Sequence, residues 1–467
     1  MSERKDPING SPHLEEFLRR AEEREALVGV VGLGYVGLPL AVEVCASGFR
    51  CLGLEVSREV VDRVNEGRSH VQDVADESLA PLAQSRRFQA TCDYSRLGEC
   101  DALAICVPTP LNKIKDPDLS YVAEAGKEIS RYLRPGQLVV LESTTFPGTT
   151  REVLLDLLQE SGLSPGRDFF LCYSPERVDP GNKVWNTRNT PKVIGGLTPE
   201  CLRAGVALYQ AIFDQLVPVS STEAAELIKV YENTFRMINI ALANEVAQVC
   251  ERLGVDVWEV IEAAATKPFG FMKFTPGPGL GGHCVPLDPH YLSWKMRALS
   301  FKTRMIELAS EINSEMPAFV VRKISDALNS EAKPVKGSRL LVVGAAYKPE
   351  VDDLRESPAL EILRLLREMG GEIGYHDPYI PQIDTSTYGW SDPLRLENSD
   401  LTPSTLEDQD AVVIVTHHGH LDYQMILDNS RLVVDTRGVT RGLTGQARVV
   451  ALAGQSRPLD SRRKSAV

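Results

Sequence analysis

The sequence predicts an α/β protein made of two doubly wound domains joined by a long central helix and a helical region. Three observations predict this fold class. Short apolar strands alternate with helical segments over residues 27–221 and again over 333–455. A glycine-rich turn directly follows the first strand, and the stretch 222–253 contains neither glycine nor proline.

The domain boundaries follow from these changes of pattern. Residues 1–26 are predicted to be a polar tail, within which Leu14, Phe17 and Leu18 are spaced as in an amphipathic helix. The predicted domains then cover 27–221, 222–332 and 333–455, and a second tail covers 456–467.

Composition excludes several classes of protein. The chain has 467 residues and a formal net charge of -13, which argues against a broad basic surface for nucleic acid. Nine cysteines form an odd set without a CxxC pair, so we expect reduced thiols and a cytoplasmic location. No stretch reaches the length of a membrane span, and residues 1–26 lack the apolar core of a targeting signal. His417, His418 and His420 have no cysteine or acid at ligand spacing, so no metal site is predicted.

The first strand and its glycine turn predict a dinucleotide site. The strand at 26–31 runs into Gly32-Leu-Gly-Tyr-Val-Gly37, a helix follows, and a second strand ends at Glu55. This order is typical of a Rossmann-like domain, in which the pyrophosphate lies on the helix N-terminus and the acid binds the ribose hydroxyls. A carboxylate at Glu55 favours NAD over NADP. The alternative is a tight turn between strand and helix with no ligand.

Polar residues follow three further strands of this domain. Thr109 and Thr144 stand just past the strands at 102–107 and 138–142, and Glu176 follows the strand at 169–173. Ligands of open α/β sheets bind outside the carboxyl ends of the strands, so all three residues are placed to meet a cofactor or substrate. Each threonine could equally be a helix cap.

The long helical stretch carries a polar stripe. Lys229, Asn233 and Arg236 are spaced to lie on one face, which could bind an anion. The other interpretation is a solvated face, which acids such as Glu226 and Glu232 would also suit.

Cys284 lies in a loop rich in glycine and proline, Pro276-Gly-Pro-Gly-Leu-Gly-Gly-His-Cys-Val-Pro286. Such a loop can hold a thiolate rigidly and let a ligand approach the main chain closely. A lone cysteine is otherwise most often a small buried hydrophobe. The second α/β unit, which begins near Arg339, lacks a full GxGxxG, so it would hold a nucleotide differently or hold none.

Together these segments resemble the UDP-glucose/GDP-mannose dehydrogenase family over residues 27 to 440. The segments that carry the resemblance are Gly-Leu-Gly-Tyr-Val-Gly-Leu-Pro at 32–39, Glu-Ser-Thr at 142–144, Pro-Gly-Thr-Thr at 147–150, Ser-Pro-Glu-Arg at 174–177, Glu-Asn-Thr-Phe-Arg at 232–236, Gly-Gly-His-Cys-Val-Pro-Leu-Asp-Pro at 281–289, and Tyr-Lys-Pro with Asp-Leu-Arg-Glu-Ser-Pro at 347–358. The resemblance implies an NAD-binding Rossmann domain at 27–221, a catalytic and dimerisation domain at 222–332 and a UDP-sugar-binding domain at 333–455.

The resemblance also implies an activity, the oxidation of the C6 alcohol of a UDP-sugar to a carboxylate with two NAD in succession. Cys284 would form a thiohemiacetal and then a thioester, and Lys229 with Asn233 would stabilise the oxyanions. Asp288 and Thr144 would hold a water, and Glu176 would act as a base towards the hydrolytic water.

Further contacts are implied by the same resemblance. The cofactor residues would be Gly32, Gly34, Tyr35, Val36, Gly37, Glu55, Thr109, Thr144 and Lys348. The substrate residues would be Arg177, Val178, Lys229, Asn233, Arg236, Gly281, Tyr347 and Arg355. A homodimer is expected, and Tyr347, Lys348 and Arg355 could act across it.

The sequence departs from the family pattern at several positions that bear on cofactor and sugar. Glu55 stands where Asp is commoner, and Gly438 stands where many members have Asn. Pro180 occupies a position where the UDP-glucose branch tends to have an acid, and the segment 266–274 looks most like the UDP-N-acetylglucosamine 6-dehydrogenases. We therefore expect UDP-N-acetylglucosamine first, UDP-N-acetylmannosamine second and UDP-glucose third, with GDP-mannose last.

Two functions of other classes remain as alternatives. In a hydrolase, Cys284 would be the nucleophile and His283 or His290 its base, but the stripe from Lys229 to Arg236 would then have no role. A regulator would bind NAD and a UDP-sugar without turnover, although every catalytic position of the family is filled.

Overall fold

The computed structural model describes residues 11–112, 116–179, 181–182, 184–388 and 390–454. The C-terminal tail predicted at 456–467 and Pro180 lie outside these residues. The described residues form two compact units, which fall within 1–232 with 290–301 and within 233–289 with 302–467. The division falls inside the helical region predicted at 222–332.

The first unit is built on an eight-stranded sheet. Its strands are β1 (Leu27–Val31), β2 (Arg50–Leu54), β3 (Phe88–Thr91), β4 (Ala102–Ile105), β5 (Leu138–Leu141), β6 (Phe170–Tyr173), β7 (Lys192–Gly196) and β8 (Leu216–Val219). The spatial order is β3-β2-β1-β4-β5-β6-β7-β8, with β6 and β7 antiparallel and every other pair parallel. Strands β4, β5 and β6 are buried at every position, as expected of a parallel sheet covered on both faces.

Helices cover both faces of this sheet. They are α1 (Pro12–Glu22), α2 (Gly37–Ala46), α3 (Arg58–Asn65), α4 (Asp76–Gln84), α5 (Ser120–Tyr132), α6 (Leu155–Gln159) and α7 (Pro199–Tyr209). Helix α1 lies within the predicted polar tail, and it packs against α7 with Leu14, Phe17 and Ala21 buried. This part of the tail therefore belongs to the core.

Two long helices dominate the middle of the chain. These are α8 (Thr222–Leu253) and α11 (Arg304–Asn329), and the shorter α9 (Val257–Ala265) and α10 (Asp288–Ala298) lie between them in the sequence. The division between the two units falls within α8, after Glu232, and within α10, after Pro289.

The second unit contains a five-stranded parallel sheet of order β10-β9-β13-β14-β15. Its elements are β9 (Arg339–Val343), α12 (Pro358–Glu368), β10 (Glu372–His376), the antiparallel pair β11 (Gln382–Asp384) and β12 (Arg395–Glu397), α13 (Pro403–Glu407), β13 (Ala411–Ile414), α14 (Tyr423–Asn429), β14 (Leu432–Asp435) and β15 (Arg448–Ala451). The prediction of two doubly wound sheets with a helical region is confirmed. Within the described ranges, no helix is long and apolar enough to cross a bilayer.

Candidate active site

The glycine turn of the first unit joins β1 to α2 as the sequence predicts. Gly32 has φ +89°, and a Cβ at Gly37 would lie 1.8 Å from the Gly32 carbonyl oxygen, so neither position tolerates a side chain. A Cβ at Gly34, in contrast, would meet no other atom of the described residues within 4 Å. The exposed backbone at Gly34, next to the N-terminus of α2, fits a pyrophosphate that must approach the chain closely.

Glu55, at the end of β2, is tied to this turn. Its carboxylate accepts hydrogen bonds from the backbone N–H of Leu33 at 2.9 Å, of Val56 at 2.9 Å and of Ser57 at 3.1 Å. The acid therefore fixes the glycine turn relative to β2. This position at the carboxyl end of the strand is the one from which an acid binds a ribose in dinucleotide folds.

Thr109 and Thr144 meet at the carboxyl ends of β4 and β5. The Thr109 hydroxyl donates to the Thr144 carbonyl at 2.7 Å, and the Ser143 hydroxyl donates to the Val107 carbonyl at 2.7 Å. The Tyr291 hydroxyl of α10 donates to the Thr109 carbonyl. The two threonines thus belong to one cross-linked pair of loops.

Glu176 lies in a buried charge cluster that the sequence pattern does not predict. Lys192, at the start of β7, donates to Glu142 at 2.6 Å and to Glu176 at 3.0 Å, and the Tyr209 hydroxyl donates to Glu142. The Lys192 side chain is 3% exposed and that of Glu176 is 16% exposed. Glu142 was recognised only as part of a family segment. The sequence does not indicate that Lys192 is buried, because a charged residue at the end of a strand is usually exposed to solvent.

The two acids of this cluster have pKa values shifted in opposite directions. Burial favours the neutral form of Glu176, but the Lys192 ammonium and two backbone N–H donors outweigh it and lower the pKa of Glu176. Burial raises the pKa of Glu142, although Lys192 opposes the shift. Burial alone would lower the pKa of Lys192, but the two carboxylates raise it. At neutral pH, Glu176 is therefore a carboxylate and Lys192 an ammonium.

The backbone after Glu176 holds its carboxylate, and the two neighbouring residues have structural partners. One oxygen of Glu176 accepts the N–H of Arg177 at 2.7 Å and the N–H of Val178 at 2.8 Å. The Arg177 guanidinium forms a bidentate ion pair with Glu232 of α8, at 2.5 and 3.2 Å. The predicted substrate contacts of Arg177 and Val178 stay predictions.

Helix α8 carries the predicted polar stripe. Lys229 is buried, Asn233 is half-buried and Arg236 is exposed. The Asn233 amide donates to the Asp288 carboxylate at 2.5 Å, so two predicted catalytic residues of the second unit are in contact.

Another acid of α8, Glu226, is buried rather than solvated. It accepts hydrogen bonds from the N–H of Gly148 at 2.5 Å and from the N–H and hydroxyl of Thr150 at 2.8 and 2.7 Å. It thus caps the helical turns that begin at Thr150. Burial raises the pKa of Glu226 to about 7, even though these three donors favour the ionised form.

The Cys284 loop belongs to the second unit and is held at both ends. Its start is fixed by Asn244 of α8, which accepts the Gly277 N–H at 2.9 Å and donates to Asn313 of α11 at 2.8 Å. Its end is fixed by the Cys284 carbonyl, which accepts the N–H of Asp288 at 2.8 Å as α10 begins. Neither asparagine is predicted from the sequence. The available signal was an amide on the apolar face of each helix, next to Ala241 and Ala247 on α8 and to Ala309 and Met316 on α11.

The middle of the loop packs on the predicted substrate residues. Gly282 donates its N–H to the Arg355 carbonyl at 2.9 Å, and a Cβ there would lie 2.7 Å from the Tyr347 ring. A Cβ at Gly281 would lie 2.6 Å from the Tyr347 Cβ. The structure therefore brings Gly281, Tyr347 and Arg355 together within the second unit, and Lys348 lies with its Nζ 5.7 Å from the Tyr347 ring. Their contacts with substrate or cofactor stay predictions.

Cys284 is half-buried, whereas seven of the nine cysteines are buried. His283 lies beside it, with Nδ1 3.8 Å from an oxygen of Asp353. Asp353 also accepts hydrogen bonds from the Arg355 guanidinium, the shortest at 2.7 Å. Burial opposes ionisation of Asp353, but His283 and Arg355 lower its pKa well below the usual range.

The predicted catalytic residues are carried by both units. Thr144, Glu176 and Lys229 belong to the first unit, and Asn233, Cys284 and Asp288 belong to the second. The glycine turn of the first unit suits a dinucleotide, and the thiol held in a loop of the second unit suits covalent chemistry at a carbonyl. These features fit an NAD-dependent dehydrogenase.

Comparison with known proteins identifies the family. The chain belongs to the UDP-glucose/GDP-mannose dehydrogenase family: residues 26–213 match its NAD binding domain, 223–315 its central domain and 341–442 its UDP binding domain. Members of this family are NAD-dependent dehydrogenases of nucleotide sugars, so the predicted family, enzyme class and cofactor are confirmed. A UDP-sugar as the substrate class is supported by the third domain.

Several relatives act on acetamido sugars according to their names. The chain is 34% identical to NDP-N-acetyl-D-galactosaminuronic acid dehydrogenase of Ralstonia solanacearum, over 88% of this chain and 96% of that protein. It is 36% identical to UDP-N-acetyl-D-glucosamine 6-dehydrogenase of Pseudomonas aeruginosa, over 77% and 85%. The solved structure of the UDP-D-ManNAc dehydrogenase of Pyrococcus horikoshii superposes with a TM-score of 0.82 at 32% identity, and the match covers 91% of this chain and 99% of that one.

Proposed function

We propose that this enzyme oxidises the C6 alcohol of UDP-N-acetylglucosamine to the carboxylate. Two observations support an acetamido sugar: the segment 266–274 resembles UDP-N-acetylglucosamine 6-dehydrogenases, and the relatives described above are named for acetamido sugars. UDP-N-acetylmannosamine is the second candidate, because the Pyrococcus horikoshii protein is named for it. UDP-glucose is the third.

The main support for this reaction is that Cys284 is held in its loop and that the Asn233 amide contacts the Asp288 carboxylate at 2.5 Å. Gly34 and Glu55 at the glycine turn would hold NAD, which would supply the hydride acceptor. In the first oxidation, Asp288 and Thr144 hold the water that takes the proton of the C6 hydroxyl, while the Lys229 ammonium and the Asn233 amide stabilise the developing oxyanion.

In the second oxidation, the Cys284 thiol adds to the C6 aldehyde. The new S–C bond gives a thiohemiacetal. This would become a thioester by passing its C6 hydride to a second NAD and its hydroxyl proton to water. Glu176 then orients and deprotonates a water that attacks the thioester carbon. The C–S bond breaks, the sugar leaves as a carboxylate and the thiol is regenerated. Each sugar thus consumes two NAD and one water.

The test is the amount of NADH formed per sugar, measured with UDP-N-acetylglucosamine, UDP-N-acetylmannosamine, UDP-N-acetylgalactosamine, UDP-glucose and GDP-mannose in separate reactions. Two NADH per UDP-N-acetylglucosamine, with slower reactions for the others, is the expected result. A clear preference for another sugar would reassign the substrate. NADH from none of them would favour a regulator that binds without turnover.

The Cys284→Ser variant tests the covalent step. It should bind NAD and the UDP-sugar with unchanged affinity and lose steady-state turnover. Cys92→Ser is the matched control, because Cys92 is the other half-buried cysteine. Equal turnover in the two variants would contradict the thioester route.

We also propose a homodimer in the cytoplasm. Helix α8 leaves Tyr231, Leu242 and Val249 exposed at spacings that place them on one face, and an exposed apolar patch commonly marks a surface for another chain. Analytical ultracentrifugation should give the mass of two chains. A Leu242→Arg variant should shift the distribution towards the monomer, and a monomer in the unmodified protein would contradict the proposal.

A further inference from the structure

The cluster around Lys192 points to a role that the proposed mechanism does not use. Lys192 lies between two carboxylates, with its Nζ 2.6 Å from Glu142 and 3.0 Å from Glu176. Glu142 and Lys192 are almost fully inaccessible, and only Glu176 reaches partial exposure. The exposed end of the cluster is therefore the one residue to which a catalytic role is assigned.

The contacts leave Glu176 little freedom. One carboxylate oxygen accepts two backbone N–H groups, and the other accepts the Lys192 ammonium. Lys192 is itself fixed, because Glu142 binds it more closely and because it lies 5.2 Å from the centre of the Phe213 ring. A base must point its lone pair at the water within hydrogen-bond reach, and these contacts set that direction.

The charges around Glu176 also act on its protonation. Lys192 from β7 favours the carboxylate. Glu142, just past β5, interacts unfavourably with Glu176 when both are ionised and therefore opposes it. The Cys106 thiol, just past β4, faces the same cluster, and burial raises its pKa well above the usual value, so it stays neutral. Burial likewise raises the pKa of Tyr209, which donates to Glu142 as a neutral phenol.

We propose that Lys192 is a positioning residue that holds Glu176 as an oriented carboxylate for hydrolysis of the thioester, with Glu142 as the counter-charge that fixes Lys192. This inference rests on the proposed function. In this proposal, the buried cluster affects only the hydrolysis that releases the acid. That step follows both hydride transfers.

The test compares Lys192→Met with Lys192→Arg, using rapid measurement of NADH and a pH profile of kcat. In Lys192→Met, the first turnover should still release two NADH per active site. Steady-state kcat at neutral pH should then fall roughly 10- to 100-fold, because a misaligned and partly protonated base slows hydrolysis. Mass spectrometry of the intact chain should show the acyl adduct on Cys284, and Lys192→Arg should recover part of kcat.

The pH profile gives a readout that a purely structural role would not move. The acid limb of kcat should lie at higher pH in Lys192→Met than in the unmodified enzyme. Glu142→Gln removes the competing carboxylate and keeps the side-chain volume, so it should move the limb the opposite way, to lower pH. The proposal predicts opposite shifts of the acid limb in the two variants. It can therefore be tested even if one of them folds poorly.

Lys323→Met is the matched control, because Lys323 is also a nearly buried lysine in an ion pair, with Glu251. It should lower Tm without changing the pH profile or the ratio of burst to steady state. Equal loss of burst and steady state in Lys192→Met, or an unchanged acid limb in both cluster variants, would overturn the proposal. No NADH from the unmodified enzyme would instead overturn the proposed function itself.

Discussion

The buried acid Glu226 makes the stability of the first unit depend on pH in a direction opposite to that of most carboxylates. Its pKa rises from 4.5 to about 7 on folding. The folded state therefore holds the proton more tightly, and the stability that this proton contributes is complete below pH 4.5 and is lost as the pH rises through 7. At about 1.4 kcal/mol per pKa unit, the full difference is about 3 kcal/mol, and most of it falls between pH 5 and pH 8.

The perturbation is Glu226→Gln, which keeps an oxygen for one backbone donor and cannot ionise. The free energy of unfolding of the unmodified protein should fall relative to that of the variant by about 2 to 3 kcal/mol between pH 5 and pH 8. Calorimetric scans of both proteins at matched pH values measure this as a change in the difference between their transition temperatures. Comparing the two proteins at each pH cancels the other titrating groups.

Glu223→Gln is the control for this experiment. Glu223 lies one turn earlier on α8, and Arg151 binds it at 2.6 Å, so its pKa is lowered despite partial burial. Its contribution to stability should be lost as the pH falls, the opposite of Glu226. A difference between the unmodified protein and Glu226→Gln that stays constant from pH 5 to pH 8 would refute the reasoning.

Four further outcomes are expected, three from glycine variants and one from Asn244. Gly34→Ala should fold with unchanged Tm and raise the KM for NAD at least tenfold, because its Cβ meets only the space assigned to the pyrophosphate; an unchanged KM would contradict that assignment. Gly37→Ala should lower Tm strongly, since its Cβ would lie 1.8 Å from the Gly32 oxygen, and a normal melting curve would show that the turn can rearrange. Gly282→Ala should reduce kcat while NAD binding, measured by calorimetric titration, stays normal, because the Cys284 loop would have to move off Tyr347. Asn244→Ala should cost about 2 kcal/mol through the buried Gly277 N–H that it leaves unpaired, and chemical denaturation that shows no loss would contradict this role.

The sequence predicted the parts of the site that depend on local backbone chemistry. The glycine turn, the acid at the end of β2 and the proline-rich loop around Cys284 are short segments whose residue types determine their conformation. The structure confirms the two sheets and the long helix for the same reason, since periodicity within one element is visible in one stretch of chain.

The parts that the sequence did not predict depend on contacts between distant residues. Lys192 and Glu142 are 50 positions apart, and the Asn244 and Asn313 amides are 69 positions apart. Glu226 fitted a solvated stripe on α8, yet it is buried against Gly148. In each case, the polar residue is stabilised by a partner that no local pattern indicates.

Helix α8 sets the distance between the two points at which the loop that carries the thiol is held. Asn233 contacts the end of that loop and Asn244 its beginning, and the two asparagines are eleven residues apart. Eleven residues make close to three turns, so both amides project from nearly the same line, roughly 16 Å apart along the axis. Inserting or deleting one residue between them would rotate one amide by about 100° away from its contact. We therefore expect the segment between Asn233 and Asn244 to keep its length in any functional variant of the chain, even where its other residues are substituted.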